Sequence, residues 1–360
     1  MAIIPPQSVL KTFSPIDYND QNESGEISVN MIGGGLINHT FKITYRKIKN
    51  ILLQQINKNV FNSPEDVQEN YINIWKYLEL KSGGLKIPSP IFIGESPLFI
   101  DENKEYWRAF EYIEEIQVFP IAQNAKQAEL TAVAFANLTS LLNDFDARLL
   151  KNVIPGFHDL SLRYKQFEES LNNKSAERTN TSGVLIKEAK KRNFYIQLFE
   201  KIRQSDQFPL RVMHHDAKIA NILFNKNTGT VICPVDFDTT MPGYFFSDTG
   251  DMIRSMACTE DENSTNFNGI QIRKDFYKAI TNAYQAIMGN KLTESEKTHF
   301  HYSGLLIIYM QALRFLTDYL SGDIYYRINY PEQNFDRAKN QFKLLENLES
   351  FLKENYNFII

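Results

Sequence analysis

The period of apolar and polar positions changes along the chain. The changes divide it into a strand-rich first third and a mainly helical remainder. Ile27 to Ile32, Thr40 to Tyr45 and Ile51 to Ile56 read as three strands, with Gly33-Gly34-Gly35 between the first two. Ile91-Phe92-Ile93 and Tyr106 to Tyr112 predict two more. Between these groups, Ser63-Pro64-Glu65-Asp66 opens a helix with a Ser cap, Pro in the first turn and acids at the positive end. Its apolar positions Val67, Tyr71, Ile74, Trp75 and Leu78 recur at helical spacing, and Gly83-Gly84 close it. From Ala125 the helical period takes over. Ala128 to Leu142 carries Leu130, Val133, Ala134, Leu138 and Leu141 on one face. Further helices are predicted over His158 to Glu169, Val184 to Ser205, 273–288, 294–321 and 333–353. The polar run Leu171 to Gly183 and the acidic, Asn/Ser-rich run Thr259 to Gly269 lack apolar periodicity and read as exposed loops. Residues before Glu26 read as an irregular arm or a short helix.

The stretch from Val212 to Arg254 interrupts this helical half. It holds His214-His215-Asp216, with Asn221 five residues past the aspartate, and then Pro234-Val235-Asp236-Phe237-Asp238. Between the two clusters lie an apolar run, the turn Asn225 to Gly229 and a second apolar run. This is a hairpin that brings the loop before it and the acidic exit after it to one edge. The residue set suits phosphoryl transfer. An Asp in a loop can orient a hydroxyl and accept its proton, while an Asn and a later Asp supply hard oxygen ligands for Mg²⁺. Asp216 fits the base, and Asn221 and Asp236 fit the metal ligands. Asp238 is a further candidate ligand, since alternate strand residues point the same way. Lys218 is placed to stabilise charge on a transferring phosphoryl group. His214 is expected to hold the loop through backbone hydrogen bonds.

The first third supplies matching parts. A strand, a glycine run and a second strand can lay backbone amides over a nucleotide's phosphates, which makes Gly33, Gly34 and Gly35 candidates. Phe110 to Glu114 lies where a hinge would read adenine through its backbone, with Glu111 and Ile113 as the contacts. The third strand carries Gln54-Gln55 where a kinase has a phosphate-holding Lys.

These motifs resemble the aminoglycoside phosphotransferase and choline kinase group, which shares the protein-kinase-like fold. The finer resemblance is to bacterial N-acetylhexosamine 1-kinases. It rests on Leu53-Gln54-Gln55-Ile56-Asn57-Lys58-Asn59-Val60-Phe61, Val235 to Gly243, Ser247 to Arg254 and Arg314 to Leu320. The resemblance implies an α+β, two-lobed protein-kinase-like fold, with a nucleotide-binding lobe over 1–113 and a catalytic and acceptor-binding lobe over 114–360. It implies ATP and Mg²⁺ as cofactors and the anomeric hydroxyl of an N-acetylhexosamine as acceptor. Thr239, Arg314 and Tyr325 match sugar-contacting places, beside Asp216. Gln55 stands where the family commonly has a basic residue. Another hydroxylated acceptor (an aminoglycoside, an amino alcohol or another sugar) and a catalytically silent kinase-like binding protein stay open.

Composition narrows the partners. A net charge of -4 gives no electrostatic case for nucleic acid or an anionic membrane. Two cysteines, Cys233 and Cys258, make neither a disulfide framework nor a zinc site, and Cys233 in an apolar strand is expected to be a buried thiol. The start MAIIPPQSVL has no basic segment followed by a long apolar run, and Gly304 to Met310 is too short to span a bilayer. A cytoplasmic location is the expectation.

Overall fold

The computed structural model describes residues 4–14, 27–33, 37–45, 49–81, 85–172 and 176–359. The chain opens with helix α1 (Gln7–Thr12). Strands β1 (Ile27–Ile32), β2 (His39–Tyr45) and β3 (Ile51–Ile56), helix α2 (Pro64–Glu79), and strands β4 (Pro90–Ile91), β5 (Phe99–Ile100) and β6 (Tyr106–Glu111) follow. They form one antiparallel sheet in the order β1-β2-β3-β6-β4, with β5 also paired to β6. Alternation works here as the sequence implies. One face of the sheet buries Phe41, Ile43, Leu53, Trp107 and Ala109 under Val9 and Leu10 of α1. On α2 the Ser63 hydroxyl accepts from the Asp66 amide, Pro64 takes the first turn, and Glu65 and Asp66 face the positive end.

The chain crosses to the second lobe after β6. Strand β7 (Ile116–Gln117) pairs with β9 (Ile222–Asn225), which forms a hairpin with β10 (Val231–Pro234). Helices α3 (Ala125–Leu141), α4 (Leu160–Ser170), α5 (Ala176–Thr181), α6 (Gly183–Lys191) and α7 (Phe194–Arg203) lie between β7 and β8 (Arg211–Met213). Strand β11 (Met241–Gly243) pairs with β8, and α8 (Phe246–Met256), α9 (Lys274–Met288), α10 (Glu294–Thr298), α11 (Tyr302–Ser321) and α12 (Gln333–Tyr356) complete the lobe. The main core is assembled by α3, α8, α9, α11 and α12 around the nearly all-buried α11. Among the described residues no helix is long and apolar enough to cross a membrane. Cys233 and Cys258 are buried free thiols, and burial pushes the Cys233 thiol up to about 12.

Four expectations are revised. The expected loop from Leu171 to Gly183 contains α5, whose Arg178 reaches across to the Tyr319 carbonyl and Asp323 (2.6 Å each). That long-range tie is absent from local periodicity. The single helix over Val184 to Ser205 is two, broken at Arg192-Asn193. There the buried Arg192 forks onto Glu349 of α12 (2.8 Å from each of two nitrogens). The helix over 294–321 breaks at residues 299–301, where Phe300 turns into the core. A sixth strand, β5, was not foreseen because only two residues of it pair. Helix α2 ends at Glu79, and Gly83-Gly84, expected to close it, lie outside the described residues. The acidic run 259–269 is a loop pinned to α12: Asn340 donates to the carbonyls of Asp261 and Ser264 (3.0 Å each).

Candidate active site

Strand β8 ends in the loop that carries His214, His215 and Asp216. Two of its amides, those of His214 and His215, donate to the buried Asp248 carboxylate in the first turn of α8 (3.0 and 2.8 Å). His215 adopts left-handed backbone (φ 65°), so the chain reverses sharply before Asp216. Burial lowers the His214 pKa. Its neutral ring donates from Nε2 to the Val235 carbonyl (3.0 Å), tying the loop to the hairpin exit, between Phe135 and Phe237. The His215 ring lies against Gly243. A Cβ on Gly243 would stand 2.4 Å from its Cε1. Gly243→Ala should therefore displace the ring and destabilise the protein by roughly 1–3 kcal/mol, measurable by chemical denaturation.

Asp216 accepts from Asn221 Nδ2 and pairs with Lys218 Nζ, both at 2.8 Å. Burial raises its pKa, but the Lys218 charge and hydrogen bond, with His214 and Asn221, outweigh that and hold the carboxyl below its ordinary value. Burial disfavours the Lys218 ammonium, yet Asp216 more than compensates and raises its pKa. Asn221 Nδ2 also donates to the Asp216 carbonyl (2.8 Å), which leaves its side-chain oxygen without a donor among the described residues.

The hairpin exit is a tight turn. Asp236 is left-handed (φ 64°), and residues 237–239 form one turn of 3₁₀ helix. The four residues after Asp236 each have an anchor, through the side chain at Phe237, Asp238 and Thr239 and through the backbone at Thr240. Phe237 packs edge-on to Tyr71, and the Thr239 hydroxyl donates to the His214 carbonyl (2.7 Å). Asp238 is buried, and its two oxygens accept from Arg108 Nη2 and Asn38 Nδ2 (2.5 Å each). The Thr240 carbonyl accepts from Asn70 of α2 (3.0 Å). The Asp236 carboxylate has no hydrogen-bond or ion-pair partner among the described residues. Desolvation in the cleft, then the charges of Asp238 and Asp216, push it up to about 7. No three His, Cys, Asp or Glu residues among those described form a metal-binding group. The donor set is instead one amide oxygen and one carboxylate, both without protein donors. Those are hard oxygens that fit Mg²⁺, an ion that keeps remaining positions for phosphates and water.

On the nucleotide side, Gly33 is exposed at the end of β1, and Gly34 and Gly35 lie outside the described residues. The glutamine assignment shifts by one. Gln54, not Gln55, lies on the face of the sheet that carries Arg108. Its side chain accepts from Arg108 Nε (3.1 Å) and donates to Thr40 (3.1 Å). Gln55, one residue on, faces the other side of the sheet. Glu111 ends β6, its amide donating to the Ser89 carbonyl (2.9 Å), and Ile113 follows two residues on.

Arg314 does not pair with Asp318, its neighbour one turn on. Asp318 instead accepts from the amides of Tyr325 and Tyr326 (2.7 and 2.8 Å) and so fixes that segment. The Arg314 guanidinium is surrounded by the rings of Tyr326, Phe157 and Tyr325 (5.3, 5.4 and 5.5 Å) and reaches the Tyr325 hydroxyl (3.4 Å). Phe157 stacks on His158, and His158 Nδ1 lies 3.3 Å from His215 Nδ1, next to Asp216. Thr239 is buried, with its hydroxyl proton committed to the loop. Sequence reasoning missed Arg108, Asp248 and His158. Asp248 sits inside the Ser247 to Arg254 motif, while Arg108 and His158 carry no local signal.

The β-sheet lobe, the helical lobe and the loop–hairpin–turn between them define a kinase-like fold. The chain belongs to the phosphotransferase enzyme family (APH), whose model matches residues 28–286. Similar solved structures include an aminoglycoside phosphotransferase from Alicyclobacillus acidocaldarius subsp. acidocaldarius DSM 446. It is 13% identical over 99% of this chain and 98% of that one, with a TM-score of 0.65. A microcompartment-associated aminopropanol kinase is 13% identical over 91% and 93%, with a TM-score of 0.64. An amicoumacin kinase in complex with AMP-PNP, Ca²⁺ and Ami is 12% identical over 88% and 87%, with a TM-score of 0.58. At such identities these likenesses establish the fold.

Proposed function

We propose that this chain is an ATP- and Mg²⁺-dependent small-molecule kinase that phosphorylates the anomeric hydroxyl of N-acetylhexosamines. The observation that carries the acceptor class is Arg314. It is a cation with no carboxylate partner among the described residues, walled by three aromatic rings and linked through Phe157 and His158 to the Asp216 loop. Sugar hydroxyls and an acetamide carbonyl accept hydrogen bonds from a guanidinium, and aromatic faces suit the apolar face of a sugar ring. An aminoglycoside or amino alcohol would bring an ammonium to the same place and be repelled. A silent binding protein would not need the Asp216, Asn221 and Asp236 set.

Asp216 orients the C1 hydroxyl and takes its proton as the O1–P bond forms and the bond to the ADP oxygen breaks. Lys218, paired with Asp216 here, would turn toward the transferring phosphoryl charge. Asn221 and Asp236 would hold Mg²⁺, which neutralises phosphate charge when bound. The glycine run and the hinge backbone at Glu111 and Ile113 would hold the nucleotide.

The test is a coupled ADP-release assay on purified protein with ATP, Mg²⁺ and a panel of free sugars, aminoglycosides and amino alcohols. A hexosamine 1-phosphate product is expected, and turnover restricted to amine-bearing acceptors would overturn the assignment. Arg314→Ala should raise KM for the sugar by about ten- to a hundred-fold, the loss of a charged hydrogen bond, and leave KM for ATP nearly unchanged. Loss of ATP affinity with sugar affinity kept would place Arg314 on the nucleotide side.

A further inference from the structure

Arg108 has no task in the scheme above, yet it is one of the most completely engaged side chains in the molecule. It leaves β6 directly across from Gln54 of β3 and is 2% exposed. Each of its three nitrogens has a partner: Gln54 (3.1 Å), Gln68 of α2 (3.2 Å) and Asp238 (2.5 Å). Burying an ion pair costs the desolvation of both charges, and apolar side chains of similar volume often stabilise as well or better. Here the pair joins parts that nothing local would join. Arg108, Gln54 and Gln68 belong to the nucleotide lobe, whereas Asp238 belongs to the turn that carries Asp236. Asn38, just past the glycine run, takes the second oxygen of Asp238 and itself accepts from the Asn57 amide (3.0 Å).

We propose that Arg108 is a positioning residue, acting through Asp238 to fix where Asp236 presents its carboxylate to Mg·ATP. The Asp236 side chain has no anchor of its own, so the backbone of the turn alone sets its place. Phe237 and Thr239 pin that turn to the Asp216 loop through His214. Asp238 and Thr240 pin it to the nucleotide lobe. Arg108 therefore sets the second half of the alignment, between the lobe that grips the phosphates and the carboxylate that grips the metal. Arginine suits this place because its planar fork spreads donors over three nitrogens, whereas a lysine offers all of its donors from one. With both oxygens engaged, Asp238 is a strut and not the further metal ligand that strand alternation suggested.

The inference rests on the Mg·ATP chemistry proposed above and not on the sugar. Its test is calorimetric titration of ATP, with and without Mg²⁺, into wild type, Arg108→Met, Asp238→Asn and the double variant Arg108→Met/Asp238→Leu, alongside thermal melts. Each single variant should weaken Mg·ATP binding about 10–100-fold, the usual effect of removing a group that orients a metal ligand. Binding of metal-free ATP should stay within about two-fold, and the double variant should lose no more than a single one, as expected of coupled residues. If Arg108→Met does not fold, the double variant carries the test, since it leaves no unpaired buried charge. Equal loss with and without Mg²⁺ would make Arg108 a direct phosphate contact. Tighter Mg·ATP binding by Arg108→Met would make Asp238 a masked metal ligand. Lower melting temperature with wild-type Mg·ATP affinity would make the pair merely structural. Each of these outcomes overturns the proposal. Wild-type protein that binds no Mg·ATP removes the kinase assignment and the strut together, whereas intact wild-type binding with unaffected variants removes the strut alone.

Discussion

Replacing Asp216 by Asn should lower kcat by a factor on the order of 10² to 10⁴ while the protein stays folded, because the side chain keeps its shape and loses only its ability to accept a proton. The neighbours permit this. Asn221 Nδ2 can still donate to the remaining side-chain oxygen, and Lys218, about a third exposed, can turn to water. Stability changes little at neutral pH, since an ion pair this open contributes at most about 1 kcal/mol. The sign of the residual effect is defined. Asp216 titrates below its ordinary value in the folded chain, so its contribution is present above the ordinary carboxylate range and is lost as pH falls through the lowered pKa. Steady-state kinetics and a melting curve check both parts. Near-normal turnover in a folded Asp216→Asn protein would remove the base assignment.

The second large effect is at Asp236. Asp236→Asn should abolish turnover and weaken Mg·ATP binding, because Asn221 alone cannot hold a hard dication. Its effect on stability has the opposite direction. The carboxyl is pushed up to about 7, so the folded chain holds that proton more tightly than the unfolded chain does. Wild-type stability in metal-free buffer is therefore lost as pH rises from the ordinary carboxylate range toward 7. Asn also tolerates the left-handed backbone at φ 64°. In EDTA, Asp236→Asn should melt at a higher temperature than wild type at pH 8, and the gap should close toward pH 4. An inactive variant that is less stable at pH 8 would point to a structural role, and unchanged Mg·ATP affinity would move the metal away from Asp236.

These two effects describe a site that trades stability for function. The turn after Asp236 is anchored at Phe237, Asp238, Thr239 and Thr240, while the one carboxylate left free is repelled by Asp238 and Asp216. On the proposed reading, anchoring its neighbours holds an unfavourable charge in place for a cation to neutralise. Asp248 plays the matching part on the other side, where its buried carboxylate holds two amides of the Asp216 loop.

What the sequence determined by itself is what is local, including the grouping of the candidate residues. Asp216, Asn221 and Asp236 are legible because a loop, a short hairpin and an acidic exit lie within about twenty residues, and hairpin geometry brings their ends to one edge. The strands of the first lobe and the start of α2 are legible for the same reason, since alternation and capping act between neighbours. Tertiary structure alone decided the rest. Gln54 rather than Gln55 faces the cleft because β3 pairs in a register that sets Gln54 opposite Arg108. Arg314 is free of Asp318 because two distant amides claim that carboxylate. Helix α6 ends, and α5 forms, where arginines reach partners more than a hundred residues away. The pairing of Arg108 with Asp238 spans 130 residues and both lobes, and no periodicity or spacing encodes it. A side chain's hydrogen-bond partners follow from which elements pack together, and that is settled only when the whole core has closed.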